Sequence, residues 1–527
     1  MMSIEFPVQR LAAGLKRRGC TMAAVVGFGV VLSGCAVGPD FVAPAAPPAN
    51  SYGAPTIATS GVQAGAVPTT PTVSQRVEPG ADVPGLWWEL FHSEALNRLV
   101  ESALANNNDV KSAQAALLIA AENAAAQNGA FYPQVSVSMA STRQSTAGTL
   151  SSPLASNNYV FNLHTPQLNI SYAPDVFGGN RRLVESLEAQ VETQRYLVEA
   201  TRLTLTSNVV MAVVQEASLR DQIKATQDIA GLQSQQLGLL NKQLKAGAST
   251  VAEVALQEAV MAQTDASLPV LQKQLSLQRN QLTALLGRLP GDAPTDTFEL
   301  AMLELPASMP LSLPSQLVVQ RPDIRAAQAQ MHAASALVGV AMANRLPALT
   351  LGGTAGSTAA TIGSLLSPGT AFWALTAGLV QPLFDGGALK RRERAAEIAY
   401  EQAGVQYRGV VVNAFQNVAD ALQAIDHDTR GFESAVRFEQ AAGKALAAAQ
   451  SRLKAGDVTL TEVLTAQLLV KQSQVGLVQA RANRFVDTTA LLQALGGGWW
   501  NRRVAAEEPQ RNPPPAASAA RWINSIL

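Results

Sequence analysis

The tetrapeptide Leu-Lys-Ala-Gly occurs twice in this chain, at residues 244–247 and 453–456, 209 positions apart. Behind each copy, at the same offset, a helical pattern ends on Leu-Gly, at Leu286-Gly287 and Leu495-Gly496. Ahead of each stands a phenylalanine with a glycine pair and then two arginines. These are Phe177-Gly178-Gly179 with Arg181-Arg182, and Phe384-Asp385-Gly386-Gly387 with Arg391-Arg392. Two strand-like segments precede each of those. Self-similarity at a fixed offset is read before any local signal. The period is far too long for a solenoid, so the pattern describes a duplicated module of strand, strand, long helix, turn and long helix. A length of 527 residues would otherwise suggest several domains; duplication argues for one elongated body built from two halves.

From Arg181 to Ala246 there is no proline and little glycine. This predicts a helix of about 65 residues, about 100 Å long at 1.5 Å per residue. The return helix runs over about 250–286, with Pro269 as a kink point. The second copy gives helices over about 388–454 and 459–495, and Val475, Val478, Ala482 and Phe485 follow a coiled-coil seam. Gly247 and Gly456 sit where a helix end needs the left-handed conformation. Shorter helices are expected around Leu96, Leu99, Val100 and Leu104, over about 109–127, and after Pro322, which suits a first helical position with Asp323 beside it.

Period-2 alternation predicts four half-buried strands. Val135, Val137 and Met139 oppose Ser136, Ser138 and Ala140; Leu168, Ile170 and Tyr172 oppose Gln167, Asn169 and Ser171. The second pair is Leu349-Thr350-Leu351 and the face made by Trp373, Leu375, Ala377 and Leu379.

The N-terminus reads as a targeting segment. Arg10, Lys16, Arg17 and Arg18 precede a short apolar run over 22–32, too short to span a bilayer. It closes on Leu32-Ser33-Gly34-Cys35, which resembles the bacterial lipobox and makes Cys35 the acylated first residue. Ala36 rather than aspartate follows, which favours sorting to the outer membrane. Cys20 leaves with the signal, so no intrachain disulfide is expected. Without residues 1–34, 35 basic groups face 38 acidic ones, net −3, and no basic stripe remains to suit nucleic acid. The expected organisation is a signal peptide (1–34), a lipid anchor and extended Pro-rich tether (35–85), a first repeat (86–287), a connector (288–320), a second repeat (321–497) and a C-terminal tail (498–527).

Enzyme chemistry finds little footing. His92, His164, His332 and His427 are scattered, away from cysteine or ligand-spaced carboxylates, so no metal site is expected. No glycine loop for phosphate and no nucleophile motif occurs, so no cofactor is expected and any energy must come from a partner.

Four strand candidates without a transmembrane helix pose a packing problem. An open four-stranded sheet cannot sit in lipid, because its edges leave backbone groups unpaired. Bacterial barrels need about eight strands or more. If these strands enter the membrane, several chains must share one barrel; the alternative is a soluble periplasmic sheet.

Five motifs together resemble the TolC-like outer-membrane factor family, in its lipoprotein branch of the NodT and OprM type. They are Cys35 in its lipobox, Gln-Arg-Pro-Asp-Ile-Arg-Ala-Ala at 320–327, Tyr-Ala-Pro-Asp-Val-Phe-Gly-Gly at 172–179, Pro-Leu-Phe-Asp-Gly-Gly at 382–387, and the run at 452–467. The resemblance covers about 80–500. It implies an α+β membrane protein: a homotrimer with a shared outer-membrane β-barrel, four strands per chain, continuous with a long periplasmic α-helical barrel. It also implies a passive channel for small molecules or drugs, working with a periplasmic adaptor (membrane fusion protein) and an inner-membrane pump of the RND type. The family closes its tunnel with acids at positions that match Glu462 and Thr465 here; only Glu462 keeps the charge, and Asp457 is a further gate candidate. Glu462 also fits a capping box with Thr459, as Glu253 does with Thr250, so capping and gating both stand. The tip turns, with Lys245, Gly247, Lys454 and Gly456, are the expected adaptor contacts. Alternative functions are a conduit for an ABC-driven type I secretion system and a non-channel periplasmic hairpin lipoprotein.

Overall fold

The computed structural model describes residues 36–48, 51–53, 75–149 and 158–502. Cys35, the signal segment, residues 49–50 and 54–74 of the expected tether and residues 503–527 of the expected tail lie outside the described residues. In chain order the elements are β1 (Arg76–Pro79), α1 (Glu94–Asn106), α2 (Asn108–Asn128), β2 (Gln134–Ser145), β3 (Val160–Tyr172), α3 (Gly179–Lys245) and α4 (Val251–Leu285). Then come β4 (Ser308–Leu311), α5 (Pro314–Gln320), α6 (Pro322–Ala343), β5 (Ala348–Ser357), β6 (Ala371–Val380), α7 (Ala388–Ala455) and α8 (Leu460–Ala494). The succession helix, two strands, long helix, shorter helix thus occurs twice along the chain. The two long helices have 67 and 68 residues, about 100 Å each.

The chain divides into two compact units, and α3 and α7 contribute to both. The first takes in the described residues up to Pro48, with Asn107–Arg202 and Arg321–Gln416. Its sheet has the order β2-β3-β5-β6, antiparallel throughout, with β2 and β6 as edges. The strands are 12, 13, 10 and 10 residues long. β3 is not legible over 160–166 because His164 and Asn162 stand on the face that carries Leu168 and Ile170 and end its apolar alternation; Pro166, paired with Met139 of β2, sits just beyond the stretch paired with β5. In β2 the polar run Ser141-Thr142-Arg143-Gln144-Ser145 carries no period-2 signal, yet all five residues pair with β3.

The second unit comprises the described residues of Ala49–Asn106, Leu203–Gln320 and Asn417–Leu527. Its core forms where Trp87 packs edge-on against Phe91 and Phe91 meets Phe485, with Phe91 and Phe485 ring centres 5.9 Å apart. Val209, Val210, Val213, Val214 and Ala217 give α3 a fully buried stripe at helical spacing. One window of α3 has a mean hydropathy of 1.3 and is long enough to cross a membrane, against the expectation of no such helix. Half of that window is buried in the fold, which is how a core helix meets the same test. β1 and β4 pair in parallel as a separate two-stranded sheet. Pro269 stands inside α4, which continues on both sides of it. On α8, Ala482 and Phe485 of the expected seam are buried and Val475 and Val478 half-buried.

Candidate functional site

Over residues 134–138 of β2 and their partners, the register of the sheet sorts its side chains into two chemically opposite faces; toward Ser145 the apolar face gives way to His164, Asn162 and Arg143. Residues directly opposite each other across a ladder share a face. One face carries the rows Val135, Ile170, Gly353, Leu375 and Val137, Leu168, Ala355, Trp373. The other carries Ser136, Asn169, Thr354, Ala374 and Gln134, Ser171, Gly352, Thr376. The apolar face is not covered: Val137, Trp373 and Leu375 are 79%, 74% and 79% exposed. A contiguous exposed apolar surface of this kind is a binding or membrane surface. On the polar face Asn169 donates to the Ser138 hydroxyl at 3.0 Å and Gln167 to the Asn169 carbonyl at 2.8 Å. That face is uncharged, with hydrogen-bonding groups in these rows and Leu163, Phe161 and Phe372 further along, while both edge strands offer unpaired backbone groups.

Each strand pair passes into its long helix through a glycine elbow. At the first, Gly178 takes φ +77°, and Asp175 accepts from the N–H groups of Asn180 and Arg181, capping α3. At the second, Gly386 and Gly387 take φ +65° and +86°, and Asp385 accepts from Leu389 and Gly387. Those two bonds hold the Asp385 carboxyl below its ordinary range.

The first elbow is occupied by the segment that follows Cys35. The Val37 N–H donates to the Phe177 carbonyl at 3.1 Å, and a Cβ on Gly178 would lie 2.5 Å from Ala36. Arg182, its side chain 7% exposed, donates to the Val37 carbonyl at 3.1 Å, the Gly38 carbonyl at 3.3 Å and the Asp40 carboxylate at 2.7 Å. Glu185 braces Arg182 from the next turn at 2.8 Å and also meets His332 Nε2 at 2.9 Å. Phe41 stacks on the His332 ring, centres 4.6 Å apart. The repeated arginine pair was the available sequence signal for this dock, but its partner segment lies over 140 residues away in the chain.

Both tip turns close as Schellman ends. Gly247, at φ +71°, donates to Leu244 O and Ala248 to Gln243 O; Gly456, at φ +83°, donates to Leu453 O and Asp457 to Arg452 O. Lys245 and Lys454 are exposed in the last helical turns, where a cation suits the negative helix end. The expected capping boxes then diverge. Thr250 and Glu253 form theirs in full, and the Ser249 hydroxyl with the Thr250 N–H holds the Glu253 carboxyl below its ordinary range. Thr459 makes no side-chain cap, so the capping reading of Glu462 is corrected. Glu462 instead lies 3.5 Å from Arg452. The physical reason is in the neighbours: at the first tip Gln243 stands where Arg452 stands at the second, and Ser249 where Val458 stands.

Thr465 donates to Thr461 O at 2.9 Å and accepts from Gln236 of α3 at 3.1 Å. Asp457 is exposed and enters no ion pair among the described residues. Of the candidate gate residues, only Glu462 and its partner form a charged contact. Deeper in the second unit, Glu216 is buried between Arg220 at 2.7 Å and Arg279 at 3.8 Å, which braces α3 against α4. Asp487 of α8 faces Asp428 of α7; burial and that second carboxyl push Asp487 up to about 7.

Comparison with known proteins places this geometry in company. The family model described as outer membrane efflux protein matches residues 99–288 and 313–497. The pyoverdine export outer membrane protein OpmQ of Pseudomonas putida is 31% identical over 78% of this chain and 87% of its own length. The probable outer membrane lipoprotein SilC of Salmonella typhimurium is 26% identical over 81% of this chain and 90% of its own. Among solved structures, the outer-membrane channel OprN superposes with a TM-score of 0.76 at 26% identity, covering 88% of this chain and all of that one.

Proposed function

The chain belongs to the outer membrane efflux protein family and is an outer-membrane efflux channel, and from that premise we propose how it is assembled and what it conducts. Three copies pair edge to edge, β6 of one with β2 of the next, and close a twelve-stranded barrel. Closure satisfies every edge, which is the condition for strands in hydrocarbon. The apolar rows through Val137, Trp373 and Leu375 face lipid; the rows through Ser136, Asn169 and Thr354 face the lumen. Strands of 10 to 13 residues are long enough to span a bilayer when tilted.

The single observation that carries this reading is the exposed, two-faced, open-edged sheet. A polar lining without a ring of charge suits passive conduction of small molecules. The long helix pairs form the periplasmic tunnel, and its tips, through Lys245, Gly247, Lys454 and Gly456, meet a periplasmic adaptor that joins an RND-type pump. Glu462 is the charged gate residue, tied to Arg452 in the resting state, with Asp457 and Thr465 beside it. Acylated Cys35 anchors the chain, in keeping with the lipoprotein character stated for SilC. The described connector and the two repeats carry the boundaries 288–320, 86–287 and 321–497 as this proposal's domains.

The test is a mild-detergent pull-down of the tagged full-length protein from native membranes, with partners identified by mass spectrometry. Recovery of an adaptor with a proton-driven pump supports efflux of small molecules. Recovery of an adaptor with an ABC exporter refutes the RND assignment and moves the role to secretion.

A further inference from the structure

The two elbows are built alike, but among the described residues only the first is filled. At the 209-residue offset Gly178 corresponds to Gly387, Arg182 to Arg391 and Glu185 to Arg394. The first elbow holds the segment after Cys35, and Arg182 spends its donors on that segment and on Glu185. At the second, a Cβ on Gly386 or Gly387 would meet nothing within 4 Å. Leu383 and Phe384 stand 94% and 93% exposed, immediately after the exposed Leu379 and Val380 of β6. Lys390, Arg391 and Arg392 are exposed and enter no ion pair among the described residues. Arg394 is held by Glu397 at 2.8 Å and Glu401 at 3.7 Å, and Glu393 by Arg345.

Three unpaired cations in the first turns of α7 do not stabilise that helix, since its N-terminal end already carries positive potential. Where Glu185 of the first elbow offers an acid, the second has Arg394, so the second elbow is the more basic of the two. An occupant of the second elbow must therefore be anionic, and must tolerate a bare leucine and phenylalanine beside it. A phosphate headgroup with its acyl chains has both properties. Apolar and aromatic side chains at the end of a membrane strand, followed by a basic cluster, are the pattern of a protein surface at a lipid interface.

We propose that the second elbow binds anionic phospholipid headgroups, with Lys390, Arg391 and Arg392 meeting the phosphate while Leu383 and Phe384 enter the acyl region. This rests on the reading of β2–β6 as membrane strands, and it places the elbow at the level where that membrane face ends. A cation near an anionic membrane surface is worth about fivefold in affinity, so removing three lowers headgroup binding by more than tenfold.

The experiment uses full-length protein in mild detergent, incubated with phosphatidylglycerol or phosphatidylcholine and read by native mass spectrometry. The wild type is expected to retain phosphatidylglycerol at least tenfold better than phosphatidylcholine, and excess inorganic phosphate is expected not to displace it. The triple variant Lys390→Gln, Arg391→Gln, Arg392→Gln loses the preference, and Leu383→Ser with Phe384→Ser weakens retention of both lipids. A wild type without preference overturns the proposal, as does a triple variant that keeps it. Displacement by inorganic phosphate overturns the lipid assignment. A triple variant that dissociates into single chains while keeping its lipid preference makes the elbow a contact between copies instead. Planar-bilayer conductance of the same wild-type sample separates the two layers of inference: absent conductance counts against the channel reading, whereas the lipid preference is read independently.

Discussion

Replacing Arg182 by methionine is expected to release the segment after Cys35 while leaving the fold intact. The variant keeps the aliphatic stem but loses the donors to the Val37 and Gly38 carbonyls, at 3.1 and 3.3 Å, and to Asp40. Asp40 is 92% exposed, so that ion pair adds little in water. The two carbonyl bonds come from a charged donor that is almost wholly buried, and such bonds are worth about 1.5 to 3 kcal/mol each. Taking the low end of both gives about 3 kcal/mol, a shift on the order of a hundredfold toward the undocked segment. Glu185 retains His332, which limits the damage to the dock itself. The assay is hydrogen exchange at the Val37 amide, which the Phe177 carbonyl protects. Exchange there should accelerate by about a hundredfold, with the thermal midpoint of the second unit unmoved. Arg181→Met, whose partner is Asp175, should leave Val37 protected. Unchanged Val37 exchange in Arg182→Met would refute the reasoning, because the segment would then be held by its backbone bond and packing alone.

The tips give two further tests. Thr250→Ala should cost about 1 kcal/mol and Thr459→Ala only a few tenths, since only the first caps its helix; equal losses in chemical denaturation would contradict the difference. Glu462→Gln and Arg452→Gln should each raise the conductance of the isolated channel by about 1.5- to 5-fold, the worth of an exposed pair of about 0.2 to 1 kcal/mol. High salt should mimic both, and a salt-insensitive rise would point elsewhere. Asp487 gives a pH dependence. The folded state keeps its proton up to about pH 7, whereas an unfolded carboxyl loses it near 4, so stability falls as pH rises through that window. After discounting for solvent screening at a half-buried site, the loss is about 1 to 2 kcal/mol, and Asp487→Asn should abolish it. A wild-type midpoint that does not fall between pH 5 and pH 8 would contradict this.

Helix ends were the most legible part of this fold because their chemistry is local. Each Leu-Gly or Ala-Gly end sits on a glycine at positive φ, and every long helix stops within about two residues of where that glycine and the absence of proline put it. Strand ends were less legible, since pairing by a neighbour needs no apolar pattern, as the polar end of β2 demonstrates. The two Thr-x-x-Glu segments carry the same local pattern and differ in outcome because Arg452, ten residues before Glu462, competes for the carboxylate. No window around Glu462 alone contains that information. The dock at Arg182 was out of reach for a stronger version of the same reason: its residues join through the fold, and only the repetition of the arginine pair marked them.

The most direct measurement is the molar mass of the full-length protein in detergent, by light scattering after size exclusion with the detergent contribution subtracted. Four strands with two open edges cannot line a membrane channel alone, so three chains per particle is the expected result, lost on boiling in denaturing detergent. A particle of one chain that still conducts in a planar bilayer would contradict the shared barrel on which the efflux reading is built.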